Sequence, residues 1–316
     1  MRHIRSALVL ALSLGGCVPP AAVQLQSDDL EPALTQETLG RSGADRDPEV
    51  SPDGALLFYA STSHDEAFSL YVKRVGSTTA TRITTRGGDQ RFPRVCPTRP
   101  GRLVYCSNER GRWDLVLIDD YLHHPDAAEV LSEPGTDNLH PSWSPDGKKI
   151  VYCSTRSFGS GEWSLRIRDL ESGKTTVLED VDGLLPEWSP VDQRIVFQRM
   201  KRRDDWLSSL WTLDFEGGEA RGLTSIFSSD DWAAINPTWS PDGRRIAFAT
   251  VGKSRAKAGV MNEADDVWVV AADGLNPTRL THSSASDGMP RWSSKGRLFF
   301  VSDRSGSPRL WSIAAP

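Results

Sequence analysis

Carboxylates recur along this chain at a near-regular interval. They stand at Asp45 and Asp47, Asp89, Asp137, Asp182, Asp230 and Asp231, and Asp287, each a few residues ahead of a proline. Six or more acids brought to one axis would make a negative focus able to hold a cation or a basic segment of a partner. The opposing interpretation is structural: an Asp repeated in loops accepts backbone N–H bonds and fixes the turn. Nucleophile motifs are incomplete. Gly252-Lys253-Ser254-Arg255-Ala256 lacks the second glycine of a nucleophile elbow. Gly173-Lys174-Thr175 and Gly252-Lys253-Ser254 end like a phosphate-binding loop, but the first glycine of that motif would fall on Arg168 or Ala247. The 6 His are scattered, without a His-Glu-x-x-His pair, and His123-His124 sits in a polar stretch. The sequence therefore predicts no catalytic residue, no metal and no cofactor.

The acids are placed by a repeat. Pro48-Glu-Val-Ser-Pro-Asp-Gly54, Pro141-Ser-Trp-Ser-Pro-Asp-Gly147 and Pro237-Thr-Trp-Ser-Pro-Asp-Gly243 are three copies of one phrase. Worn copies begin at Pro93, Pro186 and Pro290, so successive spacings are 45, 48, 45, 51 and 53 residues. The leading proline opens a short strand, and Pro-Asp-Gly is a turn in which proline presets φ and glycine accepts φ > 0. An alternating apolar strand follows, as in Ile150-Val151-Tyr152 or Leu298-Phe299-Phe300, then a third such as Ser209-Leu210-Trp211-Thr212, then a fourth such as Thr278-Arg279-Leu280-Thr281. Four strands per unit of about 45 residues is a propeller blade. The expected fold is all-β: a six-bladed β-propeller. The sixth unit ends after its third strand, so the stretch near Thr35 to Gly40 is expected to close the ring. Trp143, Trp188, Trp239 and Trp292 share one repeat position and Trp211, Trp268 and Trp311 another, and both sets are read as packing between blades. On this layout the acids lie in loops that lead into each blade, near one channel mouth. The longer polar stretches at 199–205 and 251–265 open on the same face and are further places for partner contact.

With 316 residues, 38% hydrophobic and 25% charged, the chain is of ordinary globular composition. Its net charge of -5 excludes a basic nucleic-acid footprint. Four cysteines are too few for a disulfide framework. Cys96 is expected to face about Leu103 across a hairpin, which puts Cys106 about 10 Å further along, too far to bridge. Cys96, Cys106 and Cys153 are read as buried apolar fillers. The basic start and the apolar run at 6–14, followed by Leu14-Gly15-Gly16-Cys17, resemble the lipobox of bacterial lipoproteins. That resemblance implies cleavage before Cys17 and an acyl anchor on its sulfur. Val18 rather than Asp follows, which leans toward the outer membrane. The expected layout is a signal peptide over 1–16, a lipidated tether over 17–32, reaching about 50 Å when extended, and the propeller over 33–316.

The Pro-x-Trp-Ser-Pro-Asp-Gly-x-x-Ile-x-Phe phrase, with Arg-Leu-Thr endings, resembles the TolB-like propeller repeat. TolB carries a mixed α/β domain before its propeller, whereas here a short tether precedes the first blade. The resemblance implies a non-enzymatic, monomeric protein-binding module of the bacterial envelope. The implied partner is an envelope protein such as a peptidoglycan-associated lipoprotein, with the membrane reached through the lipid alone and no nucleic acid involved. The alternative is a carbohydrate- or peptidoglycan-binding propeller, or a degenerate lyase. Oligogalacturonate lyase has a similar repeat but needs channel histidines, and only His140, beside Pro141, stands near such a position.

Overall fold

The repeated Ser-Pro-Asp-Gly turn is a self-contained hydrogen-bonded unit. The fold, obtained as a computed structural model, describes residues 33–40, 42–85, 87–158, 162–200, 207–253 and 265–315. At the first turn the Asp53 carboxylate accepts from Ser51 Oγ at 2.5 Å and from the Ala55 N–H at 3.0 Å. Ser51 Oγ accepts the Leu56 N–H at 2.8 Å, which starts the next strand. The same set recurs at Ser144, Asp146 and Lys149, and at Ser240, Asp242 and Arg245. The turn glycines are left-handed, and Gly54, Gly147 and Gly243 also abut the preceding blade around the ring. A Cβ on Gly147 would lie 2.3 Å from Thr98 Oγ1, and one on Gly243 would lie 2.3 Å from Val191 Cγ2.

These turns join the first two strands of the blades. After a short first strand, β1 (Thr35–Gln36), blade one comprises β2 (Asp45–Val50), β3 (Leu56–Ser61), β4 (Ser69–Arg74) and β5 (Ala80–Arg82). Blade two is β6 (Gln90–Val95), β7 (Leu103–Ser107), β8 (Asp114–Ile118) and β9 (Ala128–Val130). Blade three is β10 (Asp137–Trp143), β11 (Lys149–Thr155), β12 (Ser164–Asp169) and β13 (Thr175–Asp182). Blade four is β14 (Leu184–Trp188), β15 (Arg194–Met200), β16 (Ser208–Glu216) and β17 (Glu219–Phe227). Blade five is β18 (Trp232–Trp239), β19 (Arg245–Gly252), β20 (Val267–Ala271) and β21 (Thr278–Arg279). Blade six is β22 (Asp287–Ser293), β23 (Arg297–Ser302) and β24 (Arg309–Ala314), completed by β1. The innermost strands thus start up to five residues ahead of the leading proline, not at it. The proline is tolerated inside the strand because it occupies a bulge on a channel-facing edge.

Large side chains fill the space between blades. Trp143, Trp188, Trp239 and Trp292 are all buried. The indoles of Trp143, Trp239 and Trp292 each donate to a backbone carbonyl of the preceding blade, at Arg94 (2.9 Å), Glu187 (3.1 Å) and Thr238 (3.2 Å). A guanidinium of that same blade covers each ring: Arg102, Arg194 and Arg245, respectively. The second strand of each blade is apolar and buried because neighbours cover both of its faces.

At the rim, ring closure is held by a buried ion pair as well as by strand pairing. β1 lies antiparallel to β24, with Thr35 opposite Ser312 and Gln36 opposite Trp311. The Glu37 N–H donates to the Leu310 carbonyl, Leu310 N–H to Thr38 Oγ1, and Ser312 Oγ to Glu37 Oε1 at 2.6 Å. Arg309, 1% exposed, reaches Asp45 Oδ2 at 3.2 Å and the Ser42 carbonyl at 2.9 Å. It ties the last strand to the first innermost strand. The direction of β1 also fixes where the chain enters the ring, on the face of the Pro-Asp-Gly turns. Removing one partner of such a pair leaves an uncompensated buried charge. Arg309→Ala should lower the unfolding free energy by about 3–5 kcal/mol, and deletion of residues 30–44 should lower Tm further. Denaturant and thermal unfolding measure both; a loss under about 1 kcal/mol for Arg309→Ala would remove the latch from the closure.

Candidate functional site

The channel is built from one backbone device repeated six times. The residue before each leading proline has a left-handed conformation: Asp47, Phe92, His140, Leu185, Asn236 and Met289, with φ between 51° and 55°. The strand register slips at each of these points. The proline disfavours the right-handed helical region for the residue before it, and a bulge re-aims that residue. All six line a constriction of about 40 Å³ on the axis.

One step past the prolines, the side chains plug the axis. Arg291 Nε lies 2.5 Å from Glu49 Oε2, and Arg291 Nη1 bonds Glu187 Oε2. Arg94 sits 3.9 Å from Glu49. Glu49, Ser142 and Glu187 also accept the N–H of Val95, Trp188 and Trp239 in the next blade, at 3.2, 3.0 and 2.9 Å. Two carboxylates and two guanidiniums cancel, and each is held by a neighbouring blade. Burial disfavours the charged Arg291, but Glu187 and Glu49 outweigh it and raise its pKa. The plug couples blades 1, 2, 4 and 6, far apart in sequence.

Above the constriction the channel widens into a funnel of about 630 Å³ lined from all six blades. Its walls differ. Trp163, Leu184, Leu185, Met200 and Ile235 make an apolar wall on blades 3 to 5, whereas Arg46, Ser286, Asp303 and Ser307 face it from blades 6 and 1. Gln198, 3% exposed, stands in the apolar wall, and its Oε1 has no hydrogen-bond partner.

The sequence-derived acids mostly stay out of this funnel. Asp47 alone among them lines the channel, and Arg91 covers it through both carboxylate oxygens. Burial raises the Asp47 pKa, but Arg91 prevails and the net shift is downward. Asp45 belongs to the closure latch. Asp89 and Asp137 accept the N–H of Phe68 at 2.9 Å and of Trp113 at 3.0 Å, each in the preceding blade. Asp287 is fully buried against Arg304 at 2.7 Å, and burial raises its pKa. Asp182, at the end of β13, and Asp230 and Asp231, just before β18, are exposed and outside the lining. Asp45, Asp137 and Asp287 begin innermost strands rather than lying in free loops, so their side chains clamp blades. Cys96, Cys106 and Cys153 are buried free thiols, and burial pushes Cys153 up to about 12. Val95, not Cys96, faces Leu103. Cys17, residues 201–206 and residues 254–264 lie outside the described residues.

His140 is the titratable ring at the throat. It lies against Phe92 with centroids 4.1 Å apart. Burial, helped by the guanidiniums of Arg94 and Arg91 and opposed by Asp47, lowers it to about 3. It is a neutral, half-buried ring at the floor of the funnel, not a poised acid.

Six four-stranded blades around a plugged channel define a six-bladed β-propeller of the Pro-Asp-Gly repeat type. No known family profile matches the chain. It is 30% identical over 223 residues to the Tol-Pal system protein TolB of Anaeromyxobacter sp. strain K, covering 69% of this chain and 36% of that protein. The matched region spans about half or less of the first curated relatives' length. The fold resembles that of a protein assigned as TolB from Agrobacterium tumefaciens, with a TM-score of 0.64, 19% identity, and 87% and 91% of the two chains covered. It also resembles an oligogalacturonate lyase from Vibrio parahaemolyticus, with a TM-score of 0.61, 16% identity, and 90% and 93% covered. The chain carries a TolB-like β-propeller.

The throat predicts a pH effect. His140 is neutral when folded, and in the unfolded chain it takes up a proton near 6.5. Acid therefore favours unfolding, by about 1.4 kcal/mol per pH unit below 6.5, until the pH approaches 3. Urea unfolding of wild type and His140→Gln should show the wild type losing about 2 kcal/mol relative to the variant between pH 7 and pH 5. A constant difference would contradict a ring held neutral at the throat.

Proposed function

We propose that this protein is a lipid-anchored envelope propeller that takes up a segment of another protein in its funnel, as a binding module and not as an enzyme. The observation that carries the proposal is the funnel itself: a large, mostly apolar concavity with a few polar groups, most of them on blades 6 and 1. The charges beneath it are cancelled in pairs, and its histidine is held neutral, so binding suits this site better than proton transfer. Cys17 is the proposed acylation site, with a signal peptide over 1–16, a tether over 17–32, and an outer-membrane, monomeric protein as the result. β1 starts on the turn face, opposite the funnel mouth. The likeness to TolB proteins of the Tol-Pal system suggests a peptidoglycan-associated lipoprotein as the partner. The acids of the rim would act indirectly, by fixing the loops around the mouth.

A saccharide is the second reading, supported by Trp163 and Phe92 beside Asn236 and Gln198 and by the likeness to the Vibrio lyase. In-cell photo-crosslinking separates the two. A benzophenone residue at Met200, in the funnel, should yield an adduct with a peptidoglycan-associated lipoprotein or another Tol component. The same probe at Leu275, exposed on the turn face, should not. Equal adducts from both positions, or none from Met200, would contradict funnel docking. Binding of a defined oligogalacturonate or muropeptide by the purified chain would favour the second reading.

A further inference from the structure

A second concavity of about 530 Å³ lies on the mouth face where loops of blades two and three meet, and it shares no lining residue with the funnel. Arg112, Trp113, Asp137, Arg156 and Phe158 are among the residues that form it. The sequence builds it through a blade-to-blade clamp. Asp137 accepts the Trp113 N–H through Oδ1 at 3.0 Å and Arg112 Nη1 through Oδ2 at 3.0 Å. Arg112 Nη1 also reaches the Arg156 carbonyl at 3.5 Å. These bonds fix Arg112 in a half-exposed position, and they use up the one carboxylate of the pocket.

Arg156 is left over. Its side chain is exposed, and among the described residues it has no acidic partner. The pocket therefore carries a net positive charge on a chain whose total is -5. Beside it stands Phe158, 62% exposed, while Trp163, which it meets edge-on at 5.8 Å and 80°, lines the funnel. A cation and a wet aromatic ring side by side select a carboxylate next to an apolar or aromatic group. The planar guanidinium can take a carboxylate through two parallel bonds. The two rings are nearly perpendicular and offer no shared flat platform, so a side chain fits against Phe158 better than a sugar face does.

We propose that this rim pocket binds an acidic–aromatic peptide segment of a partner protein, with the carboxylate at Arg156 and Arg112 and the ring against Phe158. It is a contact separate from the funnel and does not require that the funnel be occupied.

The test is fluorescence anisotropy of labelled tetrapeptides on the purified full chain. Ser-Phe-Asp-Ser should bind about tenfold more tightly than Ser-Phe-Asn-Ser and Ser-Ala-Asp-Ser, and its binding should weaken as salt rises. Arg156→Ala and Phe158→Ala should each lower that affinity about tenfold, with unchanged Tm because both side chains are exposed. Arg156→Lys should keep part of it, as a point charge without the fork. Met200→Ala, in the funnel, should leave it unchanged. Equal affinity for the Asp and Asn peptides, no measurable binding, or full binding by Arg156→Ala would overturn the proposal. Tighter binding of galacturonate than of the acidic peptide would overturn it in favour of a saccharide.

Discussion

The left-handed residue before each leading proline is the constraint on which the ring depends. A non-glycine residue in that region costs about 1–2 kcal/mol, and the chain accepts the cost six times. The return is geometric. The kink turns one side chain per blade onto the axis, and proline, having no N–H, leaves no orphan donor in the bulge. The next side chain then reaches sideways: Glu49, Ser142 and Glu187 each take a backbone N–H of the following blade. The tryptophan after that reaches the other way, to a carbonyl of the preceding blade, in three of the four cases. With the Arg291–Glu49 pair, these bonds join every adjacent pair of blades around the ring and leave a channel between them.

Much of this was legible because it depends on residue type. Proline, Asp-Gly turns and tryptophan recur in the sequence at a spacing of about 45–53 residues that suits a bladed ring, and the missing outer strand of the last blade pointed to the stretch near Thr35 to Gly40, within which Thr35–Gln36 pairs with the last strand. The channel lining was not legible for a matching reason. The six kinked positions hold Asp, Phe, His, Leu, Asn and Met, which share no chemistry, so their common backbone leaves no trace in composition. The Glu49–Arg291–Glu187 plug joins residues more than a hundred apart and becomes visible only once the ring is closed. The acids illustrate a shift of a few residues with large effect. Asp45, Asp137 and Asp287 begin strands instead of preceding them, and there their carboxylates are tied into ion pairs with Arg309, Arg112 and Arg304.

The mouth face shows the same division. The repeat supplies a charge-balanced floor, and the blades differ in what they place above it: an apolar wall on blades 3 to 5, polar groups opposite, and a basic, aromatic pocket on the rim. The turn face carries the hydrogen-bonded Ser-Pro-Asp-Gly turns of blades one, three and five.

The most direct test of the backbone constraint is one isomeric swap made at two adjacent positions. Leu184 and Leu185 are both half-buried in β14, but only Leu185 is left-handed. A β-branched side chain suits an extended strand and clashes at positive φ. Leu185→Ile should therefore destabilise the protein by about 1–2 kcal/mol more than Leu184→Ile, read by urea unfolding. Equal effects at the two positions would mean that the kink is not strained as described, and the account of how the channel is built would fail with it.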